Sequence, residues 1–372
     1  MPRYWQIRDY PGIERIRVLD RLLALRAALD EQVPRTRPDN LLLATWNVRD
    51  FDSNKFGHGP RLRESYHYLA EIIARFDIVA MQEVNRDLEP LRRLLFLLGP
   101  NWDYIVTGVT EGPSGNEERM AFLYDTHRVQ FTNVAGQVIL PKAYLVRPTD
   151  ASTSTEGLQF ARSPYVASFQ AGWFKFNLCT VHIYFGADSG AALERRIEEI
   201  DKVAGYFKRL QSKEAADYIL LGDFNIVSPE HRTMQALSRN GFRIPEPLQS
   251  FTTNLGKNKH YDQIAFHQHD KRLEFGSAGI FDFRDAVYRD DDEDVAAYHE
   301  SMPAKLRDFH SSGKKKGKPR TVEETRTYYN REWVTWQMSD HLLLWVELKV
   351  DFTNAYLGSL KPGVQPLADP PA

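Results

Sequence analysis

The chain reads as an α/β sandwich, two mixed β-sheets packed face to face and flanked by helices. Two observations point there. Short apolar runs, too brief for helices, are interspersed with longer stretches of helical spacing, in an order that a regular βαβ barrel does not fit. Most of the strong runs also meet Asn, Asp, Glu or His at one end, and strand ends in a packed sheet share an edge where sites usually lie.

Residues 12–33 place Ile13, Ile16, Leu19, Leu22, Leu23 and Leu29 at helical spacing with arginines between them. This predicts a packing helix ahead of the main fold, ended by the proline-bearing segment 34–38. The first buried strand is 41–47. A helix over 61–75 follows, then a strand over 78–83, then an amphipathic helix with Leu88, Leu91, Leu94, Leu95 and Leu98 closed by Gly99. Short strands are expected at 104–106, 120–124 and 138–140, and a Ser/Thr-rich loop over 142–162. Residues 165–169 and 173–183 read as an antiparallel pair meeting near Gly172, and 191–210 as a long charged helix. The strand 218–221 runs into Gly222-Asp223-Phe224-Asn225, and 229–240 reads as a helix. The last strong strands are 261–266 and 342–350. Between them lies a charged insertion, about 281–333, with the acidic run 290–294 and the lysines 314–316. The expected organisation is a helical extension over 1–38, a main domain over 39–351 and a Pro-rich tail over 352–372, disordered from Gly363.

Composition narrows the classes. At 372 residues the chain can bury a substantial core. A formal net charge of −2 leaves any polyanion binding to a local patch. One cysteine, Cys179, allows no disulfide within the chain. With neither a signal-peptide pattern nor an apolar run of membrane-spanning length, the expectation is a soluble, cytoplasmic protein.

The chemistry lies in the polar residues at strand ends. Along an extended chain Asp223 and Asn225 face one side while Phe224 turns to the core. Gly-Asp-x-Asn also suits an ordinary turn. Asn47, Glu83, His182, Asp262 and the pair Asp340-His341 are each ambiguous when taken singly. Together, Glu83, Asp223, Asp262 and Asp340 on one edge would repel each other unless a cation or histidine offset them. Oxygen-rich ligands with no Cys cluster favour a hard ion, Mg²⁺ before Zn²⁺. Carboxylates, two histidines and two amides suit metal-assisted phosphoester hydrolysis.

In order, Trp-Asn47-Val-Arg, Gln82-Glu83, His182 after Thr-Val, Gly-Asp223-Phe-Asn225, Tyr261-Asp262-Gln-Ile and Ser339-Asp340-His341 resemble the motifs of the endonuclease/exonuclease/phosphatase superfamily, the DNase I-like fold. The resemblance covers about 41–350 and implies a four-layer α-β-β-α sandwich. It implies that Glu83 ligates Mg²⁺ (Mn²⁺ as a substitute) with Asn47 beside it, and that Asp340 contributes to the metal or orients its neighbour. His341 would be general acid or base, aligned by Asp262. Asp223 would position or deprotonate water, and Asn225 and His182 would donate to phosphoryl oxygens. Arg162 resembles a phosphate-contacting arginine.

Abasic-site endonucleases carry an acidic ligand where this chain has Arg49 and a tyrosine where it has His182, so DNase-like or sphingomyelinase-like relatives fit better. The carboxylate that pairs with the first histidine in DNase-like members has no counterpart near 106–108, which leaves His182 a donor role. The expected function is Mg²⁺-dependent cleavage of nucleic acid, DNA before RNA, with Arg49, Arg86, Arg162 and the basic run 314–320 as phosphate contacts. The alternative is a phosphatase or phosphodiesterase of a small or lipid phosphoester at the same centre. A catalytically silent binding module would not need the full set of residues.

Overall fold

In the computed structural model, which describes residues 1–111, 115–147 and 157–361, two sheets pack face to face with helices outside them. The first sheet has six strands in the order β10-β11-β1-β2-β4-β3, and the second has five in the order β5-β6-β7-β8-β9. In sequence they are β1 Asn40–Phe51, β2 Ile78–Val84, β3 Trp102–Val106, β4 Arg119–Asp125, β5 Gln130–Gln137, β6 Tyr165–Ala171, β7 Phe174–His182, β8 Asp217–Asp223, β9 Asp262–His267, β10 Glu274–Phe281 and β11 Leu343–Lys349. Helices α1 Gly12–Gln32, α2 Arg63–Ile73 and α3 Glu89–Leu98 cover the first sheet. Helices α4 Gly190–Gln211 and α5 Arg232–Ser238 cover the second.

Strand alternation builds the layers. Leu41 and Leu43 of β1 point between the sheets, where they meet Phe169, Leu178, Ile219 and Leu221. Leu42 and Ala44 point outward, under the helices with Leu69, Ile72 and Leu94. On the far side Cys179, Leu220 and Ala265 pack under Ile200, Val203 and Phe207 of α4. The four layers follow from that two-residue period.

Among the described residues only β1–β2 and β7–β8 are parallel pairs; the other ladders are antiparallel. An antiparallel neighbour therefore starts where a parallel strand ends. This brings the ends of β1, β2, β7 and β8 and the starts of β4, β9 and β11 to one edge.

Several expectations change in detail. Of the predicted face of α1, Leu22 and Leu29 are buried, but Ile13, Ile16, Leu19 and Leu23 are exposed; Val18, Arg21 and Leu25 complete the packed stripe. Residues 138–140 form no strand. Val138 and Leu140 are buried, but Leu140 exchanges backbone bonds with the Gln159 side chain at 2.9 Å each way rather than with a ladder. The helix expected at 229–240 is the shorter α5. Strand β10 was not expected, because Gly276, Ser277 and Gly279 dilute its apolar signal. Part of the loop 142–162 lies outside the described residues, as does the tail from 362 onward.

The charged insertion has an apolar interior. Helices α6 Asp292–Ala297, α7 Ala304–Asp308, α8 Val322–Tyr328 and α9 Val334–Gln337 surround Tyr288, Tyr298, Tyr329 and Trp333, which are buried in the core of the first sheet's outer face. A π-helical turn, Tyr329–Trp333, joins α8 to α9. The acidic run binds α1: Arg21 donates to Asp294 Oδ1 at 2.5 Å, and Arg17 lies 4.6 Å over the Tyr298 ring. The last helix among the described residues, α10, is Thr353–Ser359, so the segment expected as a tail begins as helix. No helix among the described residues is long and apolar enough to cross a membrane.

Candidate active site

The strand edge gathers residues from both sheets around the Asp223 carboxylate. His182 Nε2 lies 3.7 Å from Asp223 Oδ2 and His341 Nε2 lies 3.8 Å from the same oxygen. The other ring nitrogen of each histidine faces its own carboxylate. His341 Nδ1 is 2.7 Å from Asp262 Oδ2, and His182 Nδ1 is 3.0 Å from Glu118 Oε2. Two histidine–carboxylate pairs thus converge on a third acid. Glu83 Oε1 stands 3.9 Å from His182 Nε2. Asn47 Nδ2 bridges the sheets, donating to Glu83 Oε1 at 2.9 Å and Asp223 Oδ2 at 3.2 Å.

Backbone geometry holds these groups in place. Glu83 and Asn225 have φ of 60° and 53°, left-handed values costly for non-glycine residues and typical of sites the surroundings over-determine. The Asp50 N–H donates to Glu83 Oε2 at 2.8 Å, and the Asn225 N–H to Asp223 Oδ1 at 2.9 Å. Gly222 has φ 126°, and a Cβ there would sit 2.2 Å from the Val181 carbonyl oxygen, so glycine is required beside Asp223. Just beneath, the Gln82 amide donates to Thr180 Oγ1 at 2.8 Å and Thr45 Oγ1 at 3.1 Å, linking the sheets. The segment before β11 is tied to β1: Ser339 Oγ donates to the Asn47 carbonyl at 2.5 Å, and Trp46 Nε1 to the His341 carbonyl at 3.0 Å. Buried Arg61 donates to the carbonyls of Val48, Arg49 and Met338.

The electrostatics follow from burial and pairing. Burial opposes charge on His341, but Asp262 and Asp223 outweigh it and raise its pKa well above the usual imidazole value. Burial likewise opposes the Glu118 carboxylate, yet His182 and Arg162 bring its pKa down to about 2. The Glu83 carboxyl is raised by burial and then by the Glu118 charge, with His182 and the Asn47 amide opposing. A carboxylate so placed gains from a nearby cation.

Glu83, Glu118 and His182 offer ligand atoms within 4.8 Å of one another. Glu118 is already committed to Arg162 and His182, so the fit to a metal rests on Glu83 and Asn47. Asn47 Oδ1 is buried with no hydrogen-bond partner, the kind of oxygen a hard cation takes. A second acidic group, Asp291, Glu293 and Asp294, is occupied by Arg21 and Arg289.

Not every expected residue faces this centre as expected. Arg162 is buried and forks onto Glu118, with Nε–Oε2 at 2.6 Å, so it positions that acid. One Asn225 amide hydrogen goes to the Ile183 carbonyl at 2.8 Å, leaving a single one for any ligand. Asp340 is half-exposed and turns toward Arg49, Oδ2–Nε 3.6 Å, although its charge still acts on Glu83. Arg49 also bonds Thr335 and lies 3.9 Å over the Trp336 ring. Arg86 pairs with Glu117 on the surface.

Glu118 was missed. It precedes β4, whose start lies beside the end of β2 because the two are antiparallel, and Val84 pairs with Arg119 there. Like Asp262 and Asp340 it stands at the start of a strand, but its place in the charged run Asn116-Glu117-Glu118-Arg119 gives it the look of a solvated turn. Arg196, also missed, is fully buried and donates to the carbonyls of Phe185, Ala187 and Asn225, fixing the loop after β7.

A two-sheet sandwich whose shared edge carries paired acid–base groups and an oxygen-rich cation niche defines a class, that of metal-assisted hydrolases of phosphoesters. The sequence profile of the endonuclease/exonuclease/phosphatase family matches residues 44–341, and the chain belongs to that family. A deoxyribonuclease of Thioalkalivibrio sp. (strain K90mix) is 28% identical over 258 residues, 66% of this chain, and the match spans 62% of that protein's length. Deoxyribonuclease-1 of Bos taurus is 25% identical over 279 residues, covering 72% of this chain and 92% of that protein. Among solved structures, the human Nocturnin catalytic domain with bound sulfate superposes with a TM-score of 0.50 at 15% identity, over 85% of this chain and 96% of that one. That likeness concerns the fold alone. The chain is a hydrolytic enzyme acting on phosphodiester bonds, and members of its family work with a divalent metal ion.

Proposed function

We propose that the protein is a Mg²⁺-dependent DNA endonuclease, with Mn²⁺ able to replace Mg²⁺. The observation that carries the reading is the convergence of both histidine Nε2 atoms on Asp223 beside Glu83. That relatives of the chain bear the name deoxyribonuclease supports DNA as the substrate.

Glu83 and Asn47 would hold the cation, with Asp340 adding negative charge from the Arg49 side. When bound, a divalent ion offsets charge on a phosphoryl oxygen. Asp223, held between the histidines, orients a water and accepts its proton. As the water oxygen bonds to phosphorus and the ester P–O bond breaks, His341, kept protonated by Asp262, gives its proton to the leaving oxygen. His182, held by Glu118, donates to a non-bridging oxygen as charge builds there, with the remaining Asn225 hydrogen beside it. Arg49 contacts the flanking strand; Arg162 acts through Glu118.

Incubating the purified protein with supercoiled plasmid, RNA, phosphomonoesters and a phospholipid panel, each with Mg²⁺, Mn²⁺ or EDTA, tests the reading. Plasmid relaxation that EDTA abolishes and Asp223→Ala reduces by about 10³-fold or more is expected. Turnover confined to small or lipid phosphoesters would overturn the DNA assignment.

A further inference from the structure

The active-site edge continues onto a groove that the catalytic reading leaves unused. From Asp340 the path runs through Arg49 to Trp336. Phe56 lies 4.9 Å from the Trp336 ring, and His58 stacks on it at 4.8 Å with an interplanar angle of 9°. Beyond Phe56 a groove of about 650 Å³ opens between the segment after β1 and the insertion, lined by Phe56, Phe309, Lys305, His310 and Lys316 among others. Phe56 and Phe309 are 56% and 45% exposed.

Exposed aromatic rings beside lysines could suit a strand of nucleic acid or an anionic lipid surface. Three features favour the strand. The groove is lined from two separate segments, Phe56 and Gly57 after β1 and residues 303–317 of the insertion, so a bound chain would lie between them. Phe56 in its lining touches Trp336, which Arg49 covers on the way to Asp340, so the groove adjoins the active-site edge, as a polymer spanning both would need. Lys305 and Lys316 line the same groove as the two rings, the pairing of cation and aromatic face that a nucleic-acid strand uses. Of the basic run near it, Lys315 is bound to Glu324 at 2.5 Å, so the run is not uniformly free.

We propose that this groove binds an unpaired segment of nucleic acid flanking the cleavage point, with bases on Phe56 and Phe309 and phosphates on Lys305 and Lys316. The proposal rests on the nuclease reading and extends it: the insertion is a strand-binding arm.

The test is fluorescence anisotropy of the full chain with a labelled single-stranded oligonucleotide of about 15 nucleotides, in EDTA so that cleavage does not intervene. Anionic phosphatidylserine vesicles are measured in parallel. Phe56→Ala/Phe309→Ala is expected to raise Kd by about fivefold or more, since each lost stacking platform weakens single-strand binding. Lys305→Ala/Lys316→Ala should flatten the slope of log K against log salt by about 0.7 per lysine. Lys213→Ala, beyond the end of α4 at the opposite edge of the sheets, should leave both unchanged. Thermal unfolding establishes that each variant is folded.

Unchanged Kd and salt slope in both double variants would overturn the groove. So would loss of vesicle binding with oligonucleotide binding retained. Plasmid cleavage by the wild type is scored separately. If it persists while the groove variants bind normally, only the groove fails. If the wild type neither cleaves plasmid nor binds oligonucleotide, the nuclease reading fails and the groove with it.

Discussion

Glu118 shows how much of this site depends on a residue that touches no expected ligand. Its carboxylate takes Arg162 on one side and His182 on the other, and that double pairing keeps it ionised. It fixes which His182 nitrogen faces the centre, the task of the carboxylate in any histidine–acid pair. Glu118→Gln keeps the shape and removes the charge. Phosphodiester hydrolysis should fall about 10²-fold in kcat with KM little altered, read by steady-state kinetics on a folded variant. A kcat within about threefold of wild type would show that the pair is ornamental to catalysis. The sequence disclosed Asp223, Asn225, Glu83 and His341 because each borders an apolar run. It hid Glu118 inside Asn116-Glu117-Glu118-Arg119, which looks like a solvated turn. It also misjudged Arg162, since a guanidinium next to a strand can equally serve phosphate or a buried acid.

At the level of elements, the site depends on a few close approaches. Strand β8 must pass β7 closely enough to set Asp223 opposite His182, and only glycine permits that at position 222. Gly222→Ala should therefore cost about 3 kcal/mol or more, measured as a lower urea midpoint at unchanged slope. A change below about 0.5 kcal/mol would refute the close-packing account. Far from the site, Glu347 of β11 clamps the strand to its neighbours. Asn40 Nδ2 donates to it at 2.8 Å and the Ser277 N–H at 3.2 Å. Burial alone would raise its pKa, but these bonds and Lys349 lower it from 4.5 to about 2. Because the folded value is the lower one, this stabilisation is present above about pH 4.5 and is lost as pH falls toward 2. The unfolding free energy of Glu347→Gln should thus fall less steeply than that of the wild type across that window. Parallel pH profiles would contradict it. Strands β1, β2, β7, β8 and β11 were legible because apolar runs of β-formers have few alternatives. Strand β10 was not, since its glycines and serine are poor strand signals and its pairing with β11 is a long-range effect.

Across the whole molecule, the arrangement of antiparallel neighbours around two parallel pairs turns scattered positions into one cluster. The sandwich was readable from strand and helix order together with polar strand ends. The interior of the insertion was not. Charge runs at 290–294 and 314–316 dominate its composition, yet Tyr298, Tyr329 and Trp333 bury themselves against α1 and α2 once the chain folds back. Nor could periodicity choose the packed face of α1, because apolar residues lie on two of its faces and tertiary contact with α2 and the insertion selects one. The central claim is that groups from both sheets work as one centre. Its most direct test compares metal-dependent plasmid cleavage by wild type, His182→Ala, His341→Ala and the double variant. Each single variant should lose about 10²-fold or more, and the double should lose far less than the product of the two, as expected for residues that act as a unit. Cleavage within about threefold of wild type in either single variant, or losses that multiply, would mean that the two histidines do not share one reaction.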